Sequence, residues 1–415
     1  PCLRPGLGLT ALHHWCATQL PGVTVFLTPS LIKDSGTIEH AMTMSHAKRL
    51  VLGLVSGEDA TREVQILARK AGLDPFGVHV VDLGVHAARY PHQVALERAK
   101  LLLAAAVAKV RAYPGSKPEH VKATLSVTKD RRAVFTLALH EYRTAPAILY
   151  ERCTAPQGCR LCVDVCPRQA IRVTATGIEL DKGDCESCGL CVTACAWDAM
   201  DWPGYSQEEL NVFITTLLQP HLAELTPRGI LFFCQRSAKA MEQLAQRGWL
   251  YPEGWLPVIV PCIGMLSPRL FLRCLRWGAT GVGIVPCDDS CPFGQSSAIA
   301  DRVSFCRRLL ELLHVAPDRI ALHPFTETEA PSWPLPSEPI RFLNQNHDTA
   351  QRSAHDPRLD VEALLALAEA HGAPADLAFS HPASPFGVIE LRPDGCTACQ
   401  ACVSVCPTGA LSFGT

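Results

Sequence analysis

The chain has 415 residues, of which 48% are hydrophobic and 19% are charged, and its formal net charge is −2. This ordinary globular composition suffices for roughly two to four domains, and without a basic excess it predicts no binding to nucleic acid. The longest nearly apolar run, residues 101–108, stops at Lys109. That run is far shorter than the ~18 residues that cross a bilayer, so no transmembrane segment is predicted.

The cysteine content is unusually high, with 20 cysteines in the chain. A disulfide scaffold would be small and secreted, whereas this chain is long, shows no signal peptide and bunches its cysteines. Such bunching is typical of metal ligation in a reducing compartment. We therefore expect a cytoplasmic metalloprotein, whose contact with a membrane, if any, would go through partner proteins.

The first half of the chain reads as three successive regions. Residues 1–113 carry helical signals, 114–150 are a polar connector, and 151–204 form a compact unit rich in cysteines and loops. Helical spacing of apolar residues among good helix formers predicts helices at 61–72, 94–110 and 206–225.

The second half alternates strands with helices. Short apolar runs predict four buried strands at 229–233, 257–260, 281–285 and 319–322. Helices are predicted between them at 267–278 and 298–313. This alternation implies a small doubly wound parallel sheet over residues 228–325.

A proline-rich segment, 326–385, is predicted to be a linker that contains one helix. Asp360 is predicted to be the N-cap of that helix and Gly372 its stop. The segment leads to a last cysteine motif within residues 386–415.

The strongest chemical signal is a pair of cysteine motifs, C-x5-C-x2-C-x3-C-P followed by C-x2-C-x2-C-x3-C. Three closely spaced thiolates wrap three corners of a [4Fe–4S] cubane, and the fourth begins a helix that turns toward the neighbouring cluster. The pairing is therefore predicted to be crossed. The first cluster is assigned Cys153, Cys159, Cys162 and Cys195, and the second is assigned Cys185, Cys188, Cys191 and Cys166.

The alternative for these motifs is structural zinc. Zinc sites prefer two separated C-x2-C pairs, and this spacing packs the thiolates too closely for that arrangement. Residues 151–204 resemble bacterial-type two-cluster ferredoxins. They depart from that family in the stretched spacing between Cys153 and Cys159 and in Ala196, which follows the last cysteine where a proline is usual.

The C-terminal sequence repeats the motif and predicts a third [4Fe–4S] cluster at Cys396, Cys399, Cys402 and Cys406. In a ferredoxin-type fold the last of these should serve a sister cluster, yet no second motif follows in this sequence. Either a second half-motif is missing or the fourth ligand comes from elsewhere. Cys2 and Cys16 are unassigned, although a buried or idle role is favoured for both.

Four further cysteines come just after the predicted parallel strands: Cys234, Cys262, Cys287 and Cys291. Because the carboxyl ends of parallel strands line one edge of a sheet, these thiolates can converge on one point. The set suits a [2Fe–2S] cluster or one zinc ion, and spacing alone does not choose between them. Cys274 and Cys306 lie on apolar helix faces and are predicted to be core residues.

Residues 228–325 resemble the delta subunit of methyl-viologen-reducing hydrogenase. The resemblance rests on PCIGMLSPRLFLRCLRWGATGVGIVPCDDSC at 261–291 and on VAPDRIALH at 315–323. It implies a [2Fe–2S] cluster on Cys234, Cys262, Cys287 and Cys291. The chain has Met265 where that family has arginine, and Asp288 and Pro292 where histidines are usual.

A weaker resemblance covers residues 50–110, which look like the N-terminal region of the heterodisulfide reductase A family. The matching residues are RLVLGLVSGEDATREVQILARKAGLDPFGVHVVDL and VALERAKLLLAAAVAKV. The cluster cysteines of that region are missing, with Ser56 at one such position, so the resemblance implies a cluster-free docking region. The flavin domain that normally follows is not present either, and we predict no FAD or NAD site in this chain.

The predicted fold is a multidomain α/β and α+β protein. Its parts are a helical and α/β N-terminal domain, a ferredoxin-like two-cluster module, a small doubly wound parallel-sheet [2Fe–2S] domain and a C-terminal ferredoxin half-motif. No Gly-x-Ser-x-Gly, P-loop or His-Glu-x-x-His motif occurs, so no substrate active site is predicted.

The sequence thus predicts an iron–sulfur subunit of a heterodisulfide reductase or hydrogenase type of oxidoreductase complex. It would relay single electrons between a catalytic partner and a flavoprotein or ferredoxin. The expected partners are hydrogenase, formate dehydrogenase or heterodisulfide reductase-like subunits and a flavoprotein. The alternative is a zinc- or cluster-bearing scaffold or redox-sensing subunit.

Overall fold

The computed structural model describes residues 7–27, 36, 46–55, 61–115, 121–125, 140–287, 295–324, 333–340, 357–374, 379–384 and 393–404. Some residues singled out above lie outside these ranges: Cys2, Ser56, Asp288, Cys291, Pro292 and Cys406. None of the described helices is both long enough and apolar enough to cross a membrane.

The N-terminal unit combines two parallel strands with helices. Its elements are α1 (Leu9–Gln19), β1 (Leu50–Leu54), α2 (Thr61–Lys70), β2 (Val78–Asp82), α3 (Leu83–His86) and α4 (His92–Ala112). Strands β1 and β2 pair in parallel with α2 between them in the chain. Helices α2 and α4 confirm the predictions for 61–72 and 94–110.

A hairpin occupies part of the region predicted to be a connector. Strands β3 (Val121–Leu125) and β4 (His140–Thr144) pair antiparallel. Sequence reasoning treated 114–150 as a polar connector and so missed this hairpin, although VKATL at 121–125 alternates apolar and polar residues.

The cysteine-rich unit is built from short elements. They are β5 (Ala147–Ile148), α5 (Leu161–Asp164), β6 (Ile171–Thr174), β7 (Gly177–Leu180), α6 (Leu190–Ala194) and β8 (Met200–Asp201), with 3-10 turns at Tyr150–Arg152 and Ala155–Gln157. The hairpin β6–β7 separates the two cysteine motifs. Pairing of β5 with β8 brings the two ends of the unit together.

Helix α7 (Gln207–Leu218) joins the cysteine-rich unit to the parallel sheet. A capping box fixes its start, since Ser206 and Glu209 each accept a backbone N–H of the other. The helix is shorter than the predicted 206–225, because Pro220 holds Gln219 in an extended conformation and a 3-10 turn, Pro220–Leu222, follows. The helix packs along α4, whose alanine-rich buried face allows close approach.

The second half forms a four-stranded parallel sheet. Its elements are β9 (Gly229–Cys234), α8 (Gln235–Gln246), β10 (Trp255–Val260), α9 (Pro268–Arg276), β11 (Val282–Val285), α10 (Gln295–Leu312) and β12 (Ile320–Leu322). The strand order is β10-β9-β11-β12, and each predicted strand is confirmed. Strands β9, β10 and β11 are buried along nearly their whole length, as is typical of parallel sheets covered on both faces.

Helix α11 (Pro357–Ala370) begins three residues before Asp360, so the predicted N-cap role of Asp360 is wrong. The Asp360 side chain instead accepts hydrogen bonds from Arg269 Nε at 2.6 Å and Arg273 Nε at 2.7 Å, both on α9. The predicted stop holds, since the helix ends just before Gly372, whose φ of +63° is left-handed. The ion pairs fix α11 on the surface of the sheet domain.

Other described parts of the segment predicted to be a linker also pack on the sheet domain. The Trp333 carbonyl accepts a hydrogen bond from Trp255 Nε1 at 3.0 Å, and Trp333 is 2% exposed. The ring of Phe379 stacks on Phe305 of α10 with 5.5 Å between ring centroids. These residues extend the core of the sheet domain rather than only connecting it to the C-terminal motif.

One hydrophobic core runs from the N-terminal unit into the parallel sheet. Arg98 of α4 reinforces the junction, because its fully buried guanidinium donates to the carbonyls of His86 at 2.6 Å and Trp255 at 2.8 Å and to that of Glu253. The same group lies 4.3 Å from the centroid of the Tyr90 ring. The N-terminal unit is therefore held against the sheet by both apolar packing and buried hydrogen bonds.

Candidate metal centres

The first group of thiols lies around one small cavity of the cysteine-rich unit. The cavity is lined by the sulfur-bearing residues Cys153, Cys159, Cys162 and Cys195 together with apolar neighbours such as Ile178 and Met200. Cys195 comes from the second cysteine motif and the other three come from the first. Its sulfur accepts the backbone N–H of Ala199 at 3.2 Å.

The second group is arranged in the same way. A separate cavity is lined by Cys166, Cys185, Cys188 and Cys191 with Ile171 and Leu180. Here the contribution from the first motif is Cys166, whose sulfur accepts the backbone N–H of Ala170 at 3.4 Å. In both groups the last cysteine of one motif thus lies with three cysteines of the other. In both, the sulfur of that last cysteine accepts a hydrogen bond from the backbone N–H of the residue four positions later.

Burial raises the pKa of several of these thiols, which makes them hard to ionise without a positive centre. Burial, and then the neighbouring Cys195, Cys153 and Cys159, raise the pKa of Cys162 to about 11. Burial also raises the pKa of Cys191 well above its usual value. Because metal ligation requires the thiolate, a metal that binds here must displace these protons.

The third group lies at the carboxyl edge of the parallel sheet. Cys234 ends β9, and the register pairs it with Val260 on β10, two residues before Cys262. On the other side β11 ends at Val285, two residues before Cys287. The three cysteines therefore follow adjacent strands at the same edge, and Cys291, the fourth of this predicted set, lies outside the described residues.

Hydrogen bonds at this edge of the sheet favour the ionised form of a cysteine side chain. A hydrogen bond from the Cys287 side chain, followed by those from Ser237, lowers the pKa of Cys234 to about 6 despite burial. The Cys234 sulfur accepts the Ser237 N–H at 3.3 Å, and the Cys262 sulfur accepts the Gly264 N–H at 3.3 Å. Buried sulfurs that accept backbone N–H groups are the usual surroundings of an iron–sulfur centre.

Across the described ranges, no three His, Cys, Asp or Glu side chains gather closely enough to hold one metal ion. In a [4Fe–4S] cubane four cysteines serve four irons, so their sulfurs need not meet at a single point. The two cavities of the cysteine-rich unit have the donor set that such a centre takes.

The C-terminal motif stands in solvent. Cys396 and Cys399 lie between a 3-10 turn, Pro393–Gly395, and helix α12 (Ala401–Ser404), which contains Cys402, and all three cysteines are exposed. The backbone N–H of Ala401 lowers the pKa of Cys399. The predicted fourth ligand, Cys406, lies outside the described residues.

The cysteines predicted to belong to the core are buried. Cys274 and Cys306 are fully inaccessible, and burial raises the pKa of each thiol. Cys16 of α1 is 5% exposed within the main core, where burial raises its pKa to about 11. These thiols act as small apolar side chains.

The cysteine-rich unit is packed directly on the loop after Cys262. Gly189, between two cysteines of the second group, lies so close to Met265 that a methyl group on it would be 2.5 Å from Met265 Cβ. The Thr193 hydroxyl of α6 donates to the Gly264 carbonyl at 3.1 Å. The loop that carries Cys262 therefore forms part of the support of the second thiol group.

Arg302 of α10 completes this contact, and sequence reasoning missed it. Its Nη1 donates to the carbonyls of Gly264 at 2.8 Å and Leu266 at 2.7 Å, and its Nη2 contacts Thr193 Oγ at 3.2 Å. In the sequence Arg302 is one basic residue on an amphipathic helix, and no motif marks it. Only the packing of two units distant in sequence reveals its place.

Family models match three parts of the chain. Residues 230–335 match the methyl-viologen-reducing hydrogenase, delta subunit; residues 152–199 match a 4Fe-4S dicluster domain; and residues 389–412 match a 4Fe-4S binding domain. The comparison with curated proteins finds no match. The resemblance of residues 50–110 to the heterodisulfide reductase A family stays a prediction.

The matched regions and the thiol groups define an iron–sulfur protein with ferredoxin-type 4Fe-4S domains and a parallel sheet. More particularly, residues 230–335 form a domain of the hydrogenase delta-subunit type, in one chain with ferredoxin-type domains that serve electron transfer.

Proposed function

We propose that this chain is the electron relay of an oxidoreductase complex of the heterodisulfide reductase or hydrogenase type. Single electrons would enter or leave at the cysteine edge of the parallel sheet and pass to the cysteine-rich unit. Turnover of substrate would belong to partner subunits, such as a hydrogenase, a formate dehydrogenase, a heterodisulfide reductase-like subunit or a flavoprotein. The match of residues 230–335 to the delta subunit of a hydrogenase supports an assembly with other oxidoreductase subunits.

One observation carries the proposal. The turn around Gly189, which lies between Cys188 and Cys191, touches the loop after Cys262 through Met265. The second thiol group and the thiol group at the sheet edge thus lie on two loops that are in direct contact. Electron relay needs neighbouring centres, and this contact supplies a short path from one module to the other.

The proposed ligands follow the thiol groups. One [4Fe–4S] cluster would be held by Cys153, Cys159, Cys162 and Cys195, a second by Cys185, Cys188, Cys191 and Cys166, a [2Fe–2S] cluster by Cys234, Cys262, Cys287 and Cys291, and a further [4Fe–4S] cluster by Cys396, Cys399 and Cys402 with Cys406 or another thiolate. Iron–sulfur clusters supply one-electron chemistry over a range of roughly −700 to +450 mV. In this proposal residues 1–113 are a docking region without a cluster.

The protein's own residues set the conditions for relay. Apolar side chains such as Ile178 and Ile171 line the cavities and exclude water. Backbone N–H groups of Ala199 and Gly264 point at cysteine sulfurs, and hydrogen bonds of this kind raise the potential at which a centre accepts an electron. The relay therefore needs no acid or base of its own.

Anaerobic purification with metal analysis and electron paramagnetic resonance (EPR) tests this proposal. The relay predicts roughly ten irons per chain, or roughly fourteen with the C-terminal motif filled, and little zinc. Reduction should produce signals of both [2Fe–2S] and [4Fe–4S] type. A colourless protein with about one zinc per four of these cysteines would instead support the scaffold or sensor function.

A further inference from the structure

Arg302 places a positive charge beside the Cys262 loop. The guanidinium is largely enclosed, and its hydrogen bonds go to two carbonyls and one hydroxyl, all of them uncharged acceptors. Among the described residues it has no carboxylate partner within ion-pair distance, whereas Arg269 and Arg273 nearby are both paired with Asp360. The part of the chain that the structure describes thus provides no carboxylate for the charge of Arg302.

The thiolate of Cys262 is a group able to balance that charge. Burial lowers the pKa of Arg302, and an ionised Cys262 acts in the opposite direction. The hydrogen bonds also connect the two residues. Arg302 donates to the carbonyl of Gly264, and the N–H of Gly264 donates to the Cys262 sulfur. One residue, Gly264, thus lies between the cation and the Cys262 sulfur.

We propose that Arg302 sets the reduction potential of the centre at the Cys262 edge of the sheet, holding it higher than the thiolates alone would allow. The inference rests on the proposed function, because it requires a redox centre on Cys234, Cys262 and Cys287. Reduction adds one electron and therefore one negative charge to that centre. A fixed cation in a partly dry site stabilises the reduced state, so the site accepts electrons more readily.

The test is an EPR-monitored redox titration of the whole chain with Arg302→Gln, Arg302→Lys and a matched control. Arg308→Gln on the same helix removes an exposed arginine that pairs with Glu311 at 3.1 Å. We expect Arg302→Gln to shift the one-electron equilibrium of the [2Fe–2S] centre about tenfold toward the oxidised form, or ~59 mV. Lysine keeps the charge and should restore most of the potential, and the control should leave it unchanged.

A second variant covers the case in which glutamine prevents assembly. Histidine at this position carries a charge only below its pKa near ~6.5. In Arg302→His the potential should therefore rise as the pH falls through that range, beyond any pH dependence of the wild type. A merely structural role would not produce this response.

The outcomes separate this inference from the proposed function. The absence of a [2Fe–2S] signal in the wild type would overturn both the proposed function and the role of Arg302. A normal signal whose potential is the same in Arg302→Gln and does not respond to pH in Arg302→His would overturn the role of Arg302 alone.

Discussion

Gly189 is the residue on which the contact between the two redox modules depends. Its φ of +75° is left-handed, and the position of its absent side chain is taken up by Met265 and by the ring of Trp202. Glycine is needed here for two independent reasons, backbone conformation and lack of space. The same turn links Cys188 to Cys191, so the local strain would reach two predicted ligands.

We predict that Gly189→Ala destabilises the folded chain by at least ~2 kcal/mol more than Gly158→Ala. Both positions have positive φ, and each variant pays roughly 1–2 kcal/mol for that conformation. Only at Gly189 does the new methyl group meet neighbours, because no atom lies within 4 Å of it at Gly158. Denaturant unfolding measures the difference, and equal losses in the two variants would refute the close contact.

His86 ties the stability of the chain to pH. Burial and then the charge of Arg98 lower the pKa of His86 to about 3, and its Nδ1 lies 2.9 Å from the Tyr251 hydroxyl. Below about pH 6.5 the unfolded chain takes up a proton at this histidine that the folded chain refuses until about pH 3. Stability is therefore lost as the pH falls through this window, by up to ~1.4 kcal/mol per pH unit for each such group.

The corresponding prediction concerns His86→Gln, which removes one titrating group. The melting temperature of this variant should fall less steeply between pH 7 and pH 5 than that of the wild type, whatever its value at pH 7. His14→Gln, at an exposed position of α1, is the matched control and should keep the wild-type slope. An unchanged slope in His86→Gln would show that the histidine is not kept neutral by the fold.

At the scale of elements, α11 is fastened to α9 by a buried ion network. Asp360 is 7% exposed and contacts both Arg269 and Arg273, and Arg269 also reaches Asp198 of the cysteine-rich unit at 3.4 Å. The network therefore joins three parts of the chain. Removing one member of such a set leaves buried charge without a partner.

We predict that Asp360→Asn lowers the free energy of unfolding by about 3 kcal/mol. Glu311→Gln breaks an exposed pair with Arg308 and should cost less than ~1 kcal/mol, which makes it a suitable control. Tryptophan fluorescence during denaturant unfolding measures both changes. Losses of the same small size would mean that Asp360 does not anchor α11.

The elements that could be predicted from the sequence are those with strong local patterns. Apolar runs that end in cysteines revealed β9 and β11, and helical spacing revealed α4. The prediction that Asp360 is an N-cap failed because an aspartate is also favourable inside the first turn of a helix. There its carboxylate pairs with Arg269 and Arg273, which are distant in sequence. The hairpin β3–β4 was missed because 114–150 was interpreted as a polar connector, although β3 alternates apolar and polar residues.

At the scale of the whole molecule, the core and the hydrogen bonds unite modules that the sequence suggests are separate. Arg98 joins the N-terminal unit to the sheet, and Thr193 and Arg302 join the sheet to the cysteine-rich unit. Motif spacing predicts which cysteines share a cluster, and in the cysteine-rich unit the same two sets of four line the two cavities. It could not predict which modules touch, because long-range packing between α6 and the Cys262 loop leaves no trace in spacing or composition.

The relay depends on short distances between centres, and this dependence is open to direct measurement. In the fully reduced chain, the EPR signal of the [2Fe–2S] centre should be broadened or split by the neighbouring [4Fe–4S] centre. Cys188→Ser, which removes a predicted ligand of that neighbour, should restore a sharp isolated signal. A [2Fe–2S] signal that is already sharp in the reduced wild type and identical in the variant would contradict the account, since the two centres would then be too far apart to exchange electrons directly.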